Sequence, residues 1–147
     1  MKITDPKMIE AILKRTLPSV DQHGYRVIAV GDDFLDLSLP FREEFAAPAP
    51  DGSALIYSGP IALGTADTAL YACLVAAVGE TAVPIFVTMS TTFYRPLDPV
   101  DLIVRARIVR LTRRLGFVEA TLCSDGAADT AAQVSATYAI RHQSTGS

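Results

Sequence analysis

The sequence is poor in the residues that mark several common kinds of reactive site. It contains two cysteines, two histidines, and neither tryptophan nor asparagine. Cys73 and Cys123 both lie in apolar-patterned segments, which is typical of small buried side chains in a reducing compartment. His23 lies in a turn-like stretch and His142 in a polar tail. The pattern therefore indicates neither a catalytic Cys–His pair nor a metal site.

The sequence also lacks an excess of positive charge. The net charge is -3, from 13 basic and 16 acidic residues, which provides no basic surface for nucleic acid or anionic membranes. The amino-terminal segment lacks the form of a signal peptide, because Lys14 and Arg15 interrupt its apolar stretch. The run over 61–78 approaches the length of a membrane span, but polar residues, among them Asp67, lie inside it. We therefore expect a cytoplasmic protein with no nucleic-acid or membrane partner.

The order of the predicted elements favours an α+β fold. Asp5 and Pro6 suit a helix start, and two strands, one long apolar helix over 58–79 and four strands follow. Runs of strands indicate an antiparallel sheet, and a helix with so little polar surface needs cover on nearly all sides, as a curved sheet wrapped around it provides. We predict one domain over 1–142 and a disordered tail over 143–147. The predicted strands run over 25–30, 34–39, 83–94, 101–111, 115–123 and 130–140, and 40–53 is predicted to be irregular.

The start of the long helix has features of a binding site. Ser58 suits the N-cap position, and Gly59 and Pro60 then open the helix. The N–H of Gly59 points out of the helix, where such donors bind anions or polarise a carbonyl oxygen that gains negative charge. A glycine that only allows close packing is the alternative interpretation.

Asp67 is the one carboxylate in this helix. No Lys, Arg or Glu lies between residues 61 and 78, so the pattern argues against a solvent-facing side. Burying a lone carboxylate is unfavourable unless it is hydrogen-bonded, paired or protonated. Either a hydrogen bond from Thr65 or Thr68 accounts for Asp67, or the residue is functional.

The spacing of the two features has a geometric consequence. Gly59 and Asp67 are eight positions apart, which is about 12 Å along a helix axis. A base or nucleophile must come within about 3 Å of its target. If the two residues cooperate, Asp67 must therefore come from a second copy whose helix runs antiparallel, and a two-fold dimer contains two such sites.

Three segments within 54–140 carry a family resemblance. They are SGPIALGTADTALYACLVAAVG, VTMSTTFYRPLDPVDLIVRARIVRLTRRLGFVEATL and AAQVSATYAI. The segments resemble the hotdog-fold acyl-CoA thioesterases, most closely the phenylacetic-acid-degradation subfamily. Members usually have H-G-G, six residues and then an acidic residue; here Ser58-Gly59-Pro60 stands in the H-G-G place and Asp67 at the acidic position. Phe93-Tyr94-Arg95-Pro96 matches an F-x-R-P-like element, and Thr112-Arg113-Arg114 matches a strand turn with basic residues.

The resemblance implies a hotdog fold and hydrolysis of an acyl-CoA or aryl-CoA thioester. It makes Asp67 the general base or nucleophile and the Gly59 N–H the oxyanion donor, supplied by different subunits of a homodimer or a dimer of dimers. Coenzyme A is then part of the substrate, no separate cofactor is expected, and arginines are candidates for its phosphates. The further candidate substrate-binding residues are Ser58, Pro60, Thr68, Thr88, Ser90, Tyr94, Arg95, Arg113 and Arg114.

The sequence departs from the family pattern in three places. The usual His is Ser58, the second Gly is Pro60, and no Asn precedes the helix to orient the carbonyl. A non-catalytic acyl-CoA-binding protein with the same fold is therefore the alternative. A hotdog hydratase is a third option that the sequence does not favour, because neither histidine falls near the helix.

Overall fold

The computed structural model describes residues 2–18 and 22–143 of the chain. Within these residues the elements are two α-helices, a short 3₁₀ helix and eight strands. In chain order these are α1 (Pro6–Thr16), β1 (Arg26–Val30), β2 (Phe34–Leu39), the 3₁₀ helix (Glu43–Phe45), β3 (Ala46–Pro48), β4 (Leu55–Tyr57), α2 (Gly59–Val78), β5 (Ala82–Phe93), β6 (Leu102–Leu111), β7 (Leu115–Ser124) and β8 (Ala132–His142).

Six strands form one antiparallel sheet in the order β1-β2-β6-β7-β8-β5. The short strands β3 and β4 pair separately. Helix α2 packs against β2, β5, β6 and β7, and α1 contacts β1 and α2. The predicted α+β arrangement, one long central helix against an antiparallel sheet with an amino-terminal helix, is confirmed.

Local sequence signals account for most of these elements. The Asp5 carboxylate accepts a hydrogen bond of 3.0 Å from the N–H of Lys7, and Pro6 occupies the first turn of α1. In β2 the leucines at 35, 37 and 39 are buried and the residues between them are half-buried, as their alternation predicts. Gly79 ends α2 with φ of 118°, a conformation that residues with a Cβ rarely adopt.

Helix α2 is long and apolar enough to cross a membrane by length and composition, with a mean hydropathy of 1.7. In this fold it is the central helix, and 61% of that stretch is buried inside the protein. Its apolar side chains are therefore covered largely by the sheet, which accounts for their composition without a lipid phase.

Two segments differ from the prediction. The stretch over 40–53, predicted to be irregular, contains the 3₁₀ helix and β3, because Ala46–Pro48 pairs with β4. The N–H of Gln143 donates to the carbonyl of Thr81 at 2.8 Å, so ordered structure enters the segment predicted as a tail. The rest of that tail, residues 144–147, lies outside the described residues.

Strand β5 is an edge strand with a β-bulge at Val87. Phe86 pairs with Tyr138 and Thr88 pairs with Thr137, which leaves Val87 as the extra residue. Residues paired across an antiparallel ladder point to the same face, so the bulge changes which residues of β5 face α2. Before the bulge, the side chains of Pro84 and Phe86 lie on the same face of the sheet as Tyr138, which is the face toward α2. After the bulge, the side chains of Met89, Thr91 and Phe93 lie on that face.

Candidate functional site

The chain enters α2 through a firmly bonded turn. The N–H of Tyr57 donates to Leu97 O at 3.0 Å, and the N–H of Ser58 donates to Phe45 O at 2.7 Å. Ser58 has the extended N-cap conformation, with φ of -61° and ψ of 127°, but its hydroxyl makes no capping hydrogen bond. The prediction of Ser58 at the N-cap position is correct for the backbone, while its side chain remains available at the helix start.

Gly59 is exposed, and no atom lies within 4 Å of the position that a Cβ would occupy. Its N–H has no hydrogen-bond partner in the described part of the chain. The first N–H groups of a helix lack intrahelical acceptors, and Pro60 has no N–H to offer. The Gly59 N–H is therefore an open donor at the positive end of the helix dipole.

Asp67 lies on an exposed stripe of α2. Pro60, Gly64 and Asp67 are all exposed, and their spacing of four and three residues places them along one side of the helix. The expectation that Asp67 avoids a solvent-facing side is wrong for the single chain. Only the amino-terminal half of α2 has an uncovered side, and apart from Asp67 the exposed residues there are Gly59, Pro60 and Gly64, which carry no charge.

The carboxylate is held by Tyr138. The Tyr138 hydroxyl donates to Asp67 Oδ1 and lies 3.4 Å from the backbone carbonyl oxygen of the same residue. Tyr138 is 1% exposed, and its ring packs edge-on against Phe86 with centroids 6.1 Å apart. Burial, the hydrogen bond to Asp67 and the Asp67 charge, in that order, raise the pKa of Tyr138. Tyr138 therefore stays a neutral donor.

The alternative in which a threonine holds Asp67 is wrong. The Thr65 hydroxyl donates to Ile61 O at 2.7 Å and the Thr68 hydroxyl donates to Gly64 O at 2.8 Å. Both threonines are buried on the sheet side of α2, so Thr68, a candidate substrate-binding residue, faces away from the exposed stripe.

Tyr25 lies near these two threonines. Burial raises its pKa most strongly, hydrogen bonding with Thr65 and Thr68 lowers it, and the Asp67 charge raises it. The Tyr25 hydroxyl is also 3.2 Å from His23 Nδ1. A cluster of hydroxyl groups thus lies on the buried side of the helix, close enough to Asp67 to be affected by its charge.

Thr88 and Ser90 do not lie beside Asp67 in this chain. They pair with Thr137 and Ser135, which alternate with the buried Tyr138 and Ala136 along β8. Their side chains are therefore on the outer face of the sheet, away from α2. With Ser135 and Thr137 they line a shallow depression of about 410 Å³.

The remaining candidates lie at the two ends of α2. Arg95 is exposed and donates to the carbonyl of Asp129 at 2.9 Å, and its segment adjoins the helix start because Leu97 accepts from Tyr57. Tyr94 donates to Gln133 Oε1 at 2.8 Å.

Arg113 and Arg114 are exposed in the turn between β6 and β7. Gly116, just after the turn, lies against Leu74, where an added Cβ would come within 2.7 Å of Leu74 Cδ2. Leu74 is 15 residues beyond Gly59, or about 22 Å along the helix axis. These two arginines are therefore far from Gly59 of their own chain.

The residue that sequence reasoning missed is Tyr138. The alternation Val134, Ala136, Tyr138 along β8 signals an inward tyrosine, but not the residue that it meets. That partner is 71 positions away and is set by the packing of β8 under α2.

A family model matches part of the chain. Residues 68–139, which are 72 of the 147 residues, match the family model of the acyl-CoA thioesterase N-terminal domain. The match begins directly after Asp67 and extends through most of β8. No curated protein matches the sequence significantly.

Solved structures share the fold over nearly the whole chain. A candidate thioesterase from Silicibacter sp. has a TM-score of 0.80 at 24% identity, covering 96% of this chain and 94% of that protein. A thioesterase from Haemophilus influenzae has a TM-score of 0.79 at 14% identity, covering 96% and 93%. A thioesterase family protein from Silicibacter pomeroyi has a TM-score of 0.78 at 20% identity, covering 92% and 97%. At these identities the likeness establishes the fold alone, which is the hotdog fold.

Proposed function

We propose that the chain is a thioester hydrolase that acts on an acyl-CoA or aryl-CoA thioester with Asp67, because it has the hotdog fold and its residues 68–139 match an acyl-CoA thioesterase domain. One observation carries the assignment of the residue. The Asp67 carboxylate is exposed, its Oδ1 is held by Tyr138, and its Oδ2 has no partner among the described residues. A carboxylate fixed through one oxygen and open at the other is suited to act as a base or nucleophile.

The proposed reaction joins Asp67 with the Gly59 N–H. The N–H donates to the thioester carbonyl oxygen and stabilises the negative charge that develops there. Asp67 either removes a proton from an attacking water or attacks the acyl carbon itself, and water then releases the acid. In both routes the oxygen of water ends on the acyl carbon, the C–S bond breaks, and the thiolate of coenzyme A takes up the proton.

A two-fold dimer supplies the two groups together. An axis that places Asp67 opposite Gly59 of the partner subunit crosses the helices midway between positions 59 and 67, at residue 63. At that crossing Gly64 is exposed with open space around it, so two helices can approach closely. Edge strand β5 supports the same interface, because Ile85, Phe86 and Val87 are each more than 40% exposed.

The same dimer suggests where coenzyme A lies. Arg113 and Arg114 belong to the Leu74 end of α2, seven residues or about 10 Å beyond Asp67 along the axis. They are thus closer to the Gly59 of the partner subunit than to their own. We propose that these arginines, and Arg95 beside the helix start, bind the phosphates, and that Phe86 and Phe93 contact the acyl group.

The subfamily is a narrower proposal. Ser58-Gly59-Pro60, Asp67 and the segment 93–96 favour a phenylacetic-acid-degradation-like thioesterase. This choice is tested by whether aryl-CoA thioesters are better substrates than straight-chain acyl-CoA thioesters of similar size.

The test of the reaction is turnover of a thioester panel by wild type, Asp67→Asn and Asp67→Ala. We expect kcat to fall about 10²- to 10⁴-fold in both variants, because each removes the charged oxygen that acts on water or the acyl carbon. The coenzyme A that hydrolysis releases is measured with a thiol reagent, and circular dichroism checks that each variant is folded. Unchanged rates in both variants would contradict the assigned role.

The alternative is a non-catalytic acyl-CoA-binding protein. The observation in its favour is the altered helix start, where Ser58 and Pro60 replace the usual His and second Gly. Calorimetric titration with non-hydrolysable acyl-CoA analogues separates the two functions. Tight binding without turnover of any thioester in the panel would establish the binding protein and exclude the hydrolase.

A further inference from the structure

Tyr138 is the one side chain that fixes the Asp67 carboxylate within the described residues. Its hydroxyl has a single proton, donated to Oδ1, and it approaches the Asp67 carbonyl at 3.4 Å. The tyrosine is anchored in the core on β8 and is 1% exposed, whereas Asp67 is on an exposed helix side. A rigid donor thus reaches through the core to a carboxylate at the surface.

Other groups near Asp67 do not replace this contact. The hydroxyls of Thr65 and Thr68 are committed to carbonyls of their own helix. No Lys, Arg or His of the described residues lies within ion-pair distance of Asp67. Tyr25, on the segment before β1, is the other titratable group coupled to it, and the coupling is through charge. Without Tyr138 the carboxylate would rotate about its side-chain bonds and exchange its hydrogen bond for water.

We propose that Tyr138 is a positioning residue for hydrolysis, which fixes Asp67 through Oδ1 and presents Oδ2 to the substrate. The inference rests on the proposed function of Asp67. A carboxylate fixed in one rotamer needs less reorganisation to reach the reacting atoms.

The test compares Tyr138→Phe with wild type and with Tyr57→Phe. Tyr57 is a matched control, because it is 4% exposed and its buried hydroxyl has no hydrogen-bond partner among the described residues. In Tyr138→Phe we expect kcat to fall roughly 10- to 100-fold with KM within about twofold. Tyr57→Phe is expected to leave both kcat and KM unchanged.

A second measurement does not depend on activity. The carboxyl carbon of Asp67 is observed by NMR at neutral pH and is assigned from its absence in Asp67→Asn. Its chemical shift is expected to change in Tyr138→Phe, which removes the hydrogen bond to Oδ1, and to stay unchanged in Tyr57→Phe. If both the chemical shift and kcat of Tyr138→Phe match wild type, Tyr138 is only a packing residue and the inference is wrong. If instead Asp67→Asn is fully active, the proposed function itself fails, and with it the positioning role.

Discussion

A site divided between two chains should allow two inactive variants to restore each other. Gly59→Pro removes the proposed oxyanion donor, and Asp67→Asn removes the proposed base or nucleophile. Proline suits the first position of a helix, Ser58 before it has the extended ψ of 127° that proline requires, and nothing lies within 4 Å of a Cβ at residue 59. The first variant should therefore fold normally and lose only an N–H.

The expected magnitude follows from the spacing along α2. Within one chain the two groups are about 12 Å apart, so in the proposed dimer each site takes Gly59 from one chain and Asp67 from the other. In a heterodimer the Asp67→Asn chain supplies Gly59 and the Gly59→Pro chain supplies Asp67, which restores one of two sites. Random association of equal amounts gives heterodimers in about half of the molecules, so the mixture should reach about a quarter of wild-type specific activity.

The assay uses co-expressed chains with two different affinity tags. Purification over both resins yields the heterodimer alone, for which about half of the wild-type activity per dimer is expected. Gly59→Ala is the control, since it keeps the N–H and adds a methyl group into open space. A doubly purified heterodimer no more active than either parent would refute the shared site.

Two further predictions concern the core. Gly116→Ala should lower the free energy of unfolding by roughly 1–3 kcal/mol in urea titrations, because its Cβ would meet Leu74 Cδ2 at 2.7 Å. Gly59→Ala is the control and should leave the free energy of unfolding unchanged, because nothing lies near its Cβ. Equal urea midpoints for the two variants would contradict the close packing at Gly116. Burial raises the pKa of Cys73 to about 12, so at pH 8 this thiol is protonated and 2% exposed, and a disulfide reagent should label it only after unfolding. Cys123 is partly exposed, and burial also raises its pKa, so it should react slowly in the native protein. If two thiols per native chain react quickly, Cys73 is not buried and the prediction is wrong.

Much of the fold was predictable because it depends on local signals. The Asp5–Pro6 helix start, the alternation of β2 and the apolar length of α2 each specify an element without knowledge of its neighbours. The Gly59–Asp67 spacing likewise depends only on helix geometry. Strand β3 escaped prediction because three residues with alanine and proline carry no strand pattern, and their pairing with β4 is tertiary.

The environment of Asp67 was less predictable, for two physical reasons. Small residues without charges fit a buried helix side, and they also fit a side left open in one chain, so composition alone misassigned its exposure. The partner Tyr138 is 71 residues away, and only the packing of the folded chain brings it to Oδ1. The faces of Phe86, Thr88 and Ser90 could not be read from the sequence either, because a strict two-residue period puts all three on one face, whereas the bulge at Val87 breaks the period.

The bulge also separates two kinds of evolutionary change. Because one residue of β5 is out of step, the side chains near Asp67 and the hydroxyls of Thr88 and Ser90 occupy opposite surfaces of the same strand. A substitution at Thr88 or Ser90 alters the outer surface and leaves the helix-side surface intact. If the bulge at Val87 is kept during evolution, residues on the outer face of the sheet can therefore change without altering the side chains that lie beside Asp67.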